Sequence, residues 1–303
     1  MILNAKNRQI NSIKNIQQNI KHEKQKNEKL NLNISLTYKT PPINNEETNK
    51  SITPPNIHSE EQGKIPLHIY QTWHSKILPP KMEQCVNTLK EQNPEFTHHL
   101  YDDDDCYEFI KNNYNDEVLN AYVSLVPGAY KADLWRYCIL YKNGGIYLDI
   151  KYKCAQGVKL INMINKEYYT QDRSMCGCRG VYNGVIVCKK NDVRLLKAIH
   201  RIVFNVKHKY YGESSLVPTG PGLLGKIFTN VEYKNTSLQF VADKIKDING
   251  HTKHKIIEKK SNKVIFIMYD EYREEQSKYN DTHPHYEKLW HSHKIYKNVL
   301  DLK

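Results

Sequence analysis

The sequence predicts an α/β domain built on a mostly parallel central sheet flanked by helices. Three observations predict it. Sustained apolar patterning starts at Ile65 and continues to the C-terminal region. Within it, short strand-like runs alternate with longer runs at helical spacing. Pro and Gly pairs fall between the runs as punctuation. At 39% hydrophobic over 303 residues, the chain has enough apolar side chain for a sizeable core.

Residues 1–62 read as a polar, flexible N-terminal extension, and residues 63–303 as a single domain. The extension has one aromatic residue, Tyr38, a helix-compatible stretch over Ile10–Leu30 and a linker rich in Pro, Asn and Thr. In the domain, Ile65–Tyr70 reads as a strand. Pro79-Pro80 opens a helix with Met82, Cys85, Val86 and Leu89 on one face. Phe96–Tyr101 is a second strand, and Asp102–Asp105 starts another helix, where carboxylates complement the dipole. Pro127-Gly128 precedes a long helix over Ala129–Lys142. Gly144-Gly145 stops it, and Ile146–Tyr152 follows as a strand. Val181–Cys188 is a strand and Asn191–Val206 a helix. A turn at Pro218–Gly222 leads into a short helix, and Lys255–Glu258 with Val264–Tyr269 form a hairpin. Met268–Trp290 reads as a tail.

Composition excludes several functions. No run approaches the length of a membrane span, and Met1–Ile10 lacks the apolar stretch of a secretory signal. The chain carries 45 Lys+Arg against 33 Asp+Glu, a net +12, but 38 of the 45 are Lys. A reader of phosphates and bases leans on Arg, so a nucleic-acid partner is not expected. The seven Cys are odd in number and show no paired zinc spacing. Reduced thiols in a cytoplasmic compartment are the simplest reading.

The chemistry concentrates in one stretch. Asp133 and Arg136 stand i,i+3 on the long helix, so both project from one face. The strand after the double glycine delivers Asp149 beyond Ile146-Tyr147-Leu148. Strand C-termini are where α/β sheets place ligand sites. An ordinary surface ion pair explains the same spacing.

These residues resemble the glycosyltransferases with the DXD sugar-binding motif, which include fungal initiating α-1,6-mannosyltransferases and bacterial and viral members. They are more distantly similar to the glucosylating domains of clostridial toxins. The resemblance rests on Asp133-Leu134-Trp135-Arg136-Tyr137 and on Tyr141-Lys142-Asn143-Gly144-Gly145-Ile146-Tyr147-Leu148-Asp149. The opening block Ile65-Pro66-Leu67-His68-Ile69-Tyr70-Gln71-Thr72-Trp73 fits as well. So do Tyr182-Asn183-Gly184 and Thr219-Gly220-Pro221-Gly222. The resemblance implies a GT-A fold, a nucleotide-sugar donor (UDP- or GDP-linked), transfer to an acceptor hydroxyl with retention, and commonly Mn²⁺ or Mg²⁺. It implies that Trp73 stacks near the base and that Asp133 and Arg136 hold the ribose and diphosphate–sugar region. Tyr147 would line the pocket, and Asp149 would contact the donor or the metal. The acceptor, whether glycan, protein or lipid, is not implied. A microbial or viral source and, if viral, the host cytoplasm fit the resemblance.

The motif departs from the family at its last position, reading Asp149-Ile150-Lys151. A charged Lys151 cannot ligate a metal, which puts the divalent cation in doubt. Either Lys151 supplies the positive charge itself, or Asp149 holds a metal together with a C-terminal ligand such as His285, or catalysis is lost. The catalytic set expected is Asp149, Lys151 and Arg136. The competing function is a weakened or inactive sugar-nucleotide or glycan binder. The intact helix, double glycine and strand favour an active enzyme.

Overall fold

The computed structural model describes residues 64–173, 179–246 and 252–297. The expected N-terminal extension and the Cys176/Cys178 pair lie outside the described residues. All the described residues fall in one unit.

Five strands alternate with helices or turns in the first half. These are β1 (His68–Thr72), α1 (Pro80–Gln92), β2 (Thr97–Tyr101), α2 (Asp103–Asn113), α3 (Asp116–Ser124), α4 (Gly128–Asn143), β3 (Gly145–Leu148), β4 (Tyr152–Cys154) and β5 (Tyr168–Gln171). The second half adds β6 (Val181–Cys188), α5 (Val193–Lys207), α6 (Pro221–Ile227) and α7 (Asn230–Lys234). It ends with β7 (Leu238–Lys246), β8 (Thr252–Glu258), β9 (Val264–Met268), α8 (Tyr272–Ser277) and α9 (Tyr286–His291). The strands join in one sheet in the order β2-β1-β3-β6-β5-β7-β8-β9-β4.

The α/β class is as expected, but the sheet is mixed. Pairing is parallel where helices cross between strands, at β1–β2 and β1–β3, and again at β5–β7. The other pairings are antiparallel: β5–β6, β7–β8 and β8–β9 join consecutive strands, whereas β3–β6 and β4–β9 pair across long stretches of chain. The strand expected over Ile146–Tyr152 breaks at Asp149. There the Tyr152 N–H donates to the Asp149 carbonyl at 3.0 Å and closes a turn. The chain resumes as β4 at the far edge of the sheet. The hairpin expected over Lys255–Glu258 and Val264–Tyr269 is present as β8 and β9, but the Met268–Trp290 segment read as a tail is instead ordered into α8 and α9.

Side chains alternate across the sheet and divide the core in two. Tyr70, Tyr147, Val181 and Ile186 join the cluster that α2 to α5 cover. Ile69, Ile146, Leu148, Val185 and Val187 join the cluster beneath α1. Helix α4 is the most deeply set, with Asp133 to Leu140 buried without interruption. Helix α1 has no side-chain cap from Pro79. Its N-terminus is satisfied from far along the chain, by Glu275 of α8. The Lys81 and Met82 N–H groups donate to the two Glu275 carboxylate oxygens at 2.9 and 3.0 Å, and the Tyr269 hydroxyl donates to the same carboxylate at 2.9 Å. At α2, Asp102 and Asp105 form a reciprocal capping box, as the acidic run suggested.

The double glycine is a steric requirement. Gly144 closes α4 at φ 65°, and Gly145 starts β3 at φ 110°. A Cβ at Gly145 would sit 2.8 Å from the His68 carbonyl oxygen, because β1 and β3 pass this close. Gly145→Ala is therefore expected to lower stability by at least about 1–3 kcal/mol from backbone strain. A urea midpoint equal to that of the parent would contradict this.

Candidate active site

The long helix and the first turn after β3 meet at Arg136. Its guanidinium lies 4.3 Å from the centre of the Tyr147 ring. Nη1 donates to Asp149 Oδ1 at 3.2 Å and to the Asn183 carbonyl at 2.8 Å. Nε donates to the Ala132 carbonyl at 3.1 Å, and Nη2 lies 3.3 Å from Asp133 Oδ1. Arg136 is 6% exposed, so it forms the floor of the site and fixes the carboxylates around it.

Asp133 faces the same floor. Its Oδ1 accepts from Asn183 Nδ2 and its Oδ2 from the Thr219 hydroxyl, both at 2.7 Å. Burial pushes this carboxyl up, and Arg136, Thr219 and Asn183 pull it back. Gly220 leaves room here, since a Cβ would lie 3.1 Å from Asp133 Oδ2.

Asp149 is the focus. Oδ1 accepts from Arg136 and from the Tyr147 hydroxyl at 3.0 Å. Oδ2 accepts from Lys151 Nζ at 2.8 Å and from the Tyr182 hydroxyl at 3.1 Å. Burial opposes its charge, but Lys151 and Arg136 outweigh burial and hold the carboxyl well below the usual range. The turn at Asp149 lets the Lys151 ammonium fold back onto it. Lys151 sits among Tyr152, Tyr182 and Tyr272, with ring centres 5.3, 5.6 and 5.9 Å from Nζ. Burial pulls the ammonium down, and Asp149 restores part of the loss.

These groups border a cavity of about 750 Å³, within the range of small-ligand sites. Trp73 and His74 form one wall. Trp73 packs edge-on against Tyr279, with ring centres 5.7 Å apart, and His74 stacks on His283 at 4.2 Å. Trp73 Nε1 and His74 Nε2 are buried with no partner among the described residues. Every residue expected at the site lines this cavity: Trp73, Asp133, Arg136, Tyr147, Asp149, Lys151 and His285. The His-rich turn is part of the wall, through His283 and His285, while His291 and His293 are exposed. From the acidic run, Asp103 alone lines the cavity.

Several residues of the site, the cavity-lining Asn183, Asp172, Arg173 and Arg273 and the Asp133 partner Thr219, had no role in the sequence reading. Asn183 and Thr219 stood in blocks that carried the resemblance, and those blocks were the available signal. Asp172 and Arg173 follow β5, which had no strand signal of its own. Arg273 lies in the segment read as a tail.

A divalent cation does not fit these side chains. Both oxygens of Asp149 already accept two donors each, one of them the Lys151 ammonium. Among the described residues, no group of three or more His, Cys, Asp or Glu is arranged to hold a metal. His285 Nδ1 accepts the Glu287 N–H at 3.3 Å at the start of α9.

Comparison with known proteins addresses the same stretch. Residues 79–170 match the family described as glycosyltransferase sugar-binding region containing DXD motif. The chain is 30% identical over 176 residues to inositol phosphoceramide mannosyltransferase 3 of Schizosaccharomyces pombe, covering 57% of this chain and 47% of that protein. It is 32% identical over 97 residues to the initiation-specific alpha-1,6-mannosyltransferase of Candida albicans, covering 30% and 25%. It is 33% identical over 96 residues to an uncharacterized glycosyltransferase of Acanthamoeba polyphaga mimivirus, covering 31% and 38%. The chain thus spans less than half the length of each of these relatives. Among solved structures, PaToxG glycosyltransferase superposes with a TM-score of 0.40 at 17% identity, covering 54% of this chain and 68% of that one. No helix among the described residues is long and apolar enough to cross a membrane.

The depressed Asp149 carboxyl has a thermodynamic consequence. A carboxyl lowered on folding adds stability above its unfolded value, near 4, and loses it as pH falls toward the folded value. Asp149→Asn removes this contribution. Between pH 4 and pH 3 the parent should lose more stability than the variant, by up to about 1.4 kcal/mol per pH unit. Urea midpoints of both proteins at the two pH values check this, and parallel losses would contradict it.

Proposed function

We propose that this chain is a glycosyltransferase that moves a hexosyl group from a UDP- or GDP-sugar to an acceptor hydroxyl with retention of configuration. The observation that carries the reading is the Asp133–Arg136–Asp149–Asn183 network at the floor of one cavity, inside and beside the family-matched region. Two relatives are named mannosyltransferases, which puts mannose among the donor sugars to test first.

The chemistry follows from charge. As the glycosidic bond breaks, negative charge develops on the leaving nucleoside diphosphate. Fixed cations in a partly buried site stabilise that charge where it forms. In this reading Asp149 binds the donor's ribose and sugar hydroxyls and is held in place by Arg136, Tyr147 and Tyr182. Trp73, with its unpaired Nε1, faces the base. Asp133, the more deeply buried of the two carboxylates, positions Arg136 and Asn183 rather than touching the donor, while Asp149 takes donor hydroxyls in exchange for those of Tyr147 and Tyr182. Retention needs no protein base if the leaving phosphate takes the acceptor proton on the same face. The acceptor is left open to glycan, protein and lipid hydroxyls. The described cysteines are free and buried, which fits a reducing, cytoplasmic compartment.

Lys151 also supports a second reading, a sugar-nucleotide binder that has lost turnover. A screen of UDP- and GDP-sugars for binding, hydrolysis and transfer separates the two. Turnover of one donor supports the enzyme, and tight binding without turnover supports the binder. In the enzyme, Asp149→Ala should lower kcat/KM by about 100-fold or more, the scale of a lost electrostatic contact. Full activity in a folded Asp149→Ala protein would overturn the site assignment.

A further inference from the structure

The charges around Asp149 do not cancel pair by pair. Arg136 is shared between Asp133 and Asp149, and Lys151 is paired with Asp149. Two cations therefore meet two carboxylates. Arg273 stands outside this set, as do Asp103, Asp172, Arg173 and Glu287, which also line the cavity. It lines the same cavity and makes no ion pair with a carboxylate among the described residues. Its Nη1 donates to the Gln276 side-chain oxygen at 2.9 Å, one turn along α8. Its guanidinium lies 5.6 Å from the centre of the Tyr272 ring, the ring that also borders Lys151.

Arg273 is also held in place. Two residues on, Glu275 is buried against the start of α1 through the Lys81 and Met82 N–H groups. That contact fixes α8 against the domain. Arg273 and Lys151 thus border the same ring, Tyr272, in one cavity, with Arg273 carried on a helix that Glu275 anchors. Two cations facing one partly buried cavity repel each other; burial chiefly lowers the Lys151 ammonium, and Arg273 adds to that lowering. An anion between them relieves that repulsion. The divalent cation that the family commonly uses here meets the opposite situation: its place beside Asp149 is already held by an ammonium.

We propose that Lys151 and Arg273 form a cationic cradle that binds the diphosphate of a nucleoside diphosphate without a divalent metal. This rests on the nucleotide-sugar reading above and specifies how this chain serves it. Lys151 stands at the cavity side of Asp149, and Arg273 closes on the diphosphate from α8. A guanidinium and an ammonium both bind phosphate oxygens strongly, the first as a planar fork and the second as a point charge. The cradle also explains the substitution in the motif. A carboxylate at position 151 would recruit a metal, whereas Lys151 brings the positive charge on the chain itself.

The test measures binding of UDP, GDP, UMP and GMP by calorimetry in EDTA and in Mn²⁺. The parent should bind one diphosphate in EDTA with a Kd within about twofold of that in Mn²⁺. Lys151→Met keeps the aliphatic stem among the tyrosines and removes the charge. It and Arg273→Gln should each weaken the diphosphate at least about tenfold, the scale of one charge-assisted contact. The matching monophosphate should change little in both variants, which also shows that they fold. Lys151→Asp restores a carboxylate at the second motif position. It should bind the diphosphate weakly in EDTA and regain affinity in Mn²⁺. A parent that binds the diphosphate only with Mn²⁺ overturns the cradle and leaves the transferase reading standing. Equal losses for mono- and diphosphate in the variants also overturn the cradle. A parent that binds no nucleotide under either condition overturns both.

Discussion

The site depends on one buried ion pair, Arg136 with Asp149, which joins the long helix α4 to the turn after β3. A buried charge left without its partner costs about 3–5 kcal/mol, so neither side chain is free to move far. The rest of the site is built around that constraint. Asp133 and the Asn183 carbonyl take the remaining guanidinium donors, and Tyr147 lies against its face. Gly184 leaves the space that Asp149 and Tyr182 fill. A Cβ there would come within 2.4 Å of both Asp149 Oδ2 and the Tyr182 hydroxyl. Preorganisation of this kind lets a site stabilise developing charge without rearranging as the charge forms.

The same pair explains why Lys151 is tolerated one turn later. A lone ammonium in this setting would be costly to bury. Asp149 offsets the cost through the Lys151 contact at Oδ2 while still serving Arg136 at Oδ1. One carboxylate thus meets two cations, Arg136 and Lys151, and the character beside Asp149 is positive, although Asp103, Asp133, Asp172 and Glu287 also line the cavity. A donor with a diphosphate complements that character, whereas a metal ion adds to it. Over residues 189–303 the sequence carries 22 basic and 13 acidic residues, an excess of +9 that gives this half a net positive field. Such a field favours the approach of anionic ligands.

Much of this was legible in the sequence. The i,i+3 spacing of Asp133 and Arg136 and the double glycine were local signals, but the resemblance, not the spacing, joined them with Asp149 into a site. Both glycines do have positive φ, as a helix stop and a close strand crossing demand. What the sequence hid was non-local. Strands β5 and β7 are short or polar in pattern and pair in parallel across a long separation, so periodicity did not mark them. The break after Leu148 was hidden because Ile150 and Tyr152 continue an apolar alternation. Their burial comes from the second core cluster, not from an extension of β3. The roles of Asn183 and Thr219 lie in contacts spanning 50 and 86 residues, beyond any local rule.

The C-terminal segment shows why composition misled most there. Residues 268–290 are rich in charged and polar side chains and lack a wide apolar stripe, which reads as a tail. Their order comes from polar work instead. Glu275 reaches 194 residues back to supply the cap that Pro79 cannot give α1, and its carboxylate takes the Tyr269 hydroxyl as well. Trp290 donates its indole N–H to the Tyr211 carbonyl at 2.8 Å, tying α9 down on the other side of the cavity. The segment between these two anchors carries Tyr279, His283 and His285 along the cavity wall. A cap missing at the start of α1 and a polar segment near the C-terminus are each weak signals. Together they describe one interaction, and that interaction presents Arg273 to the site.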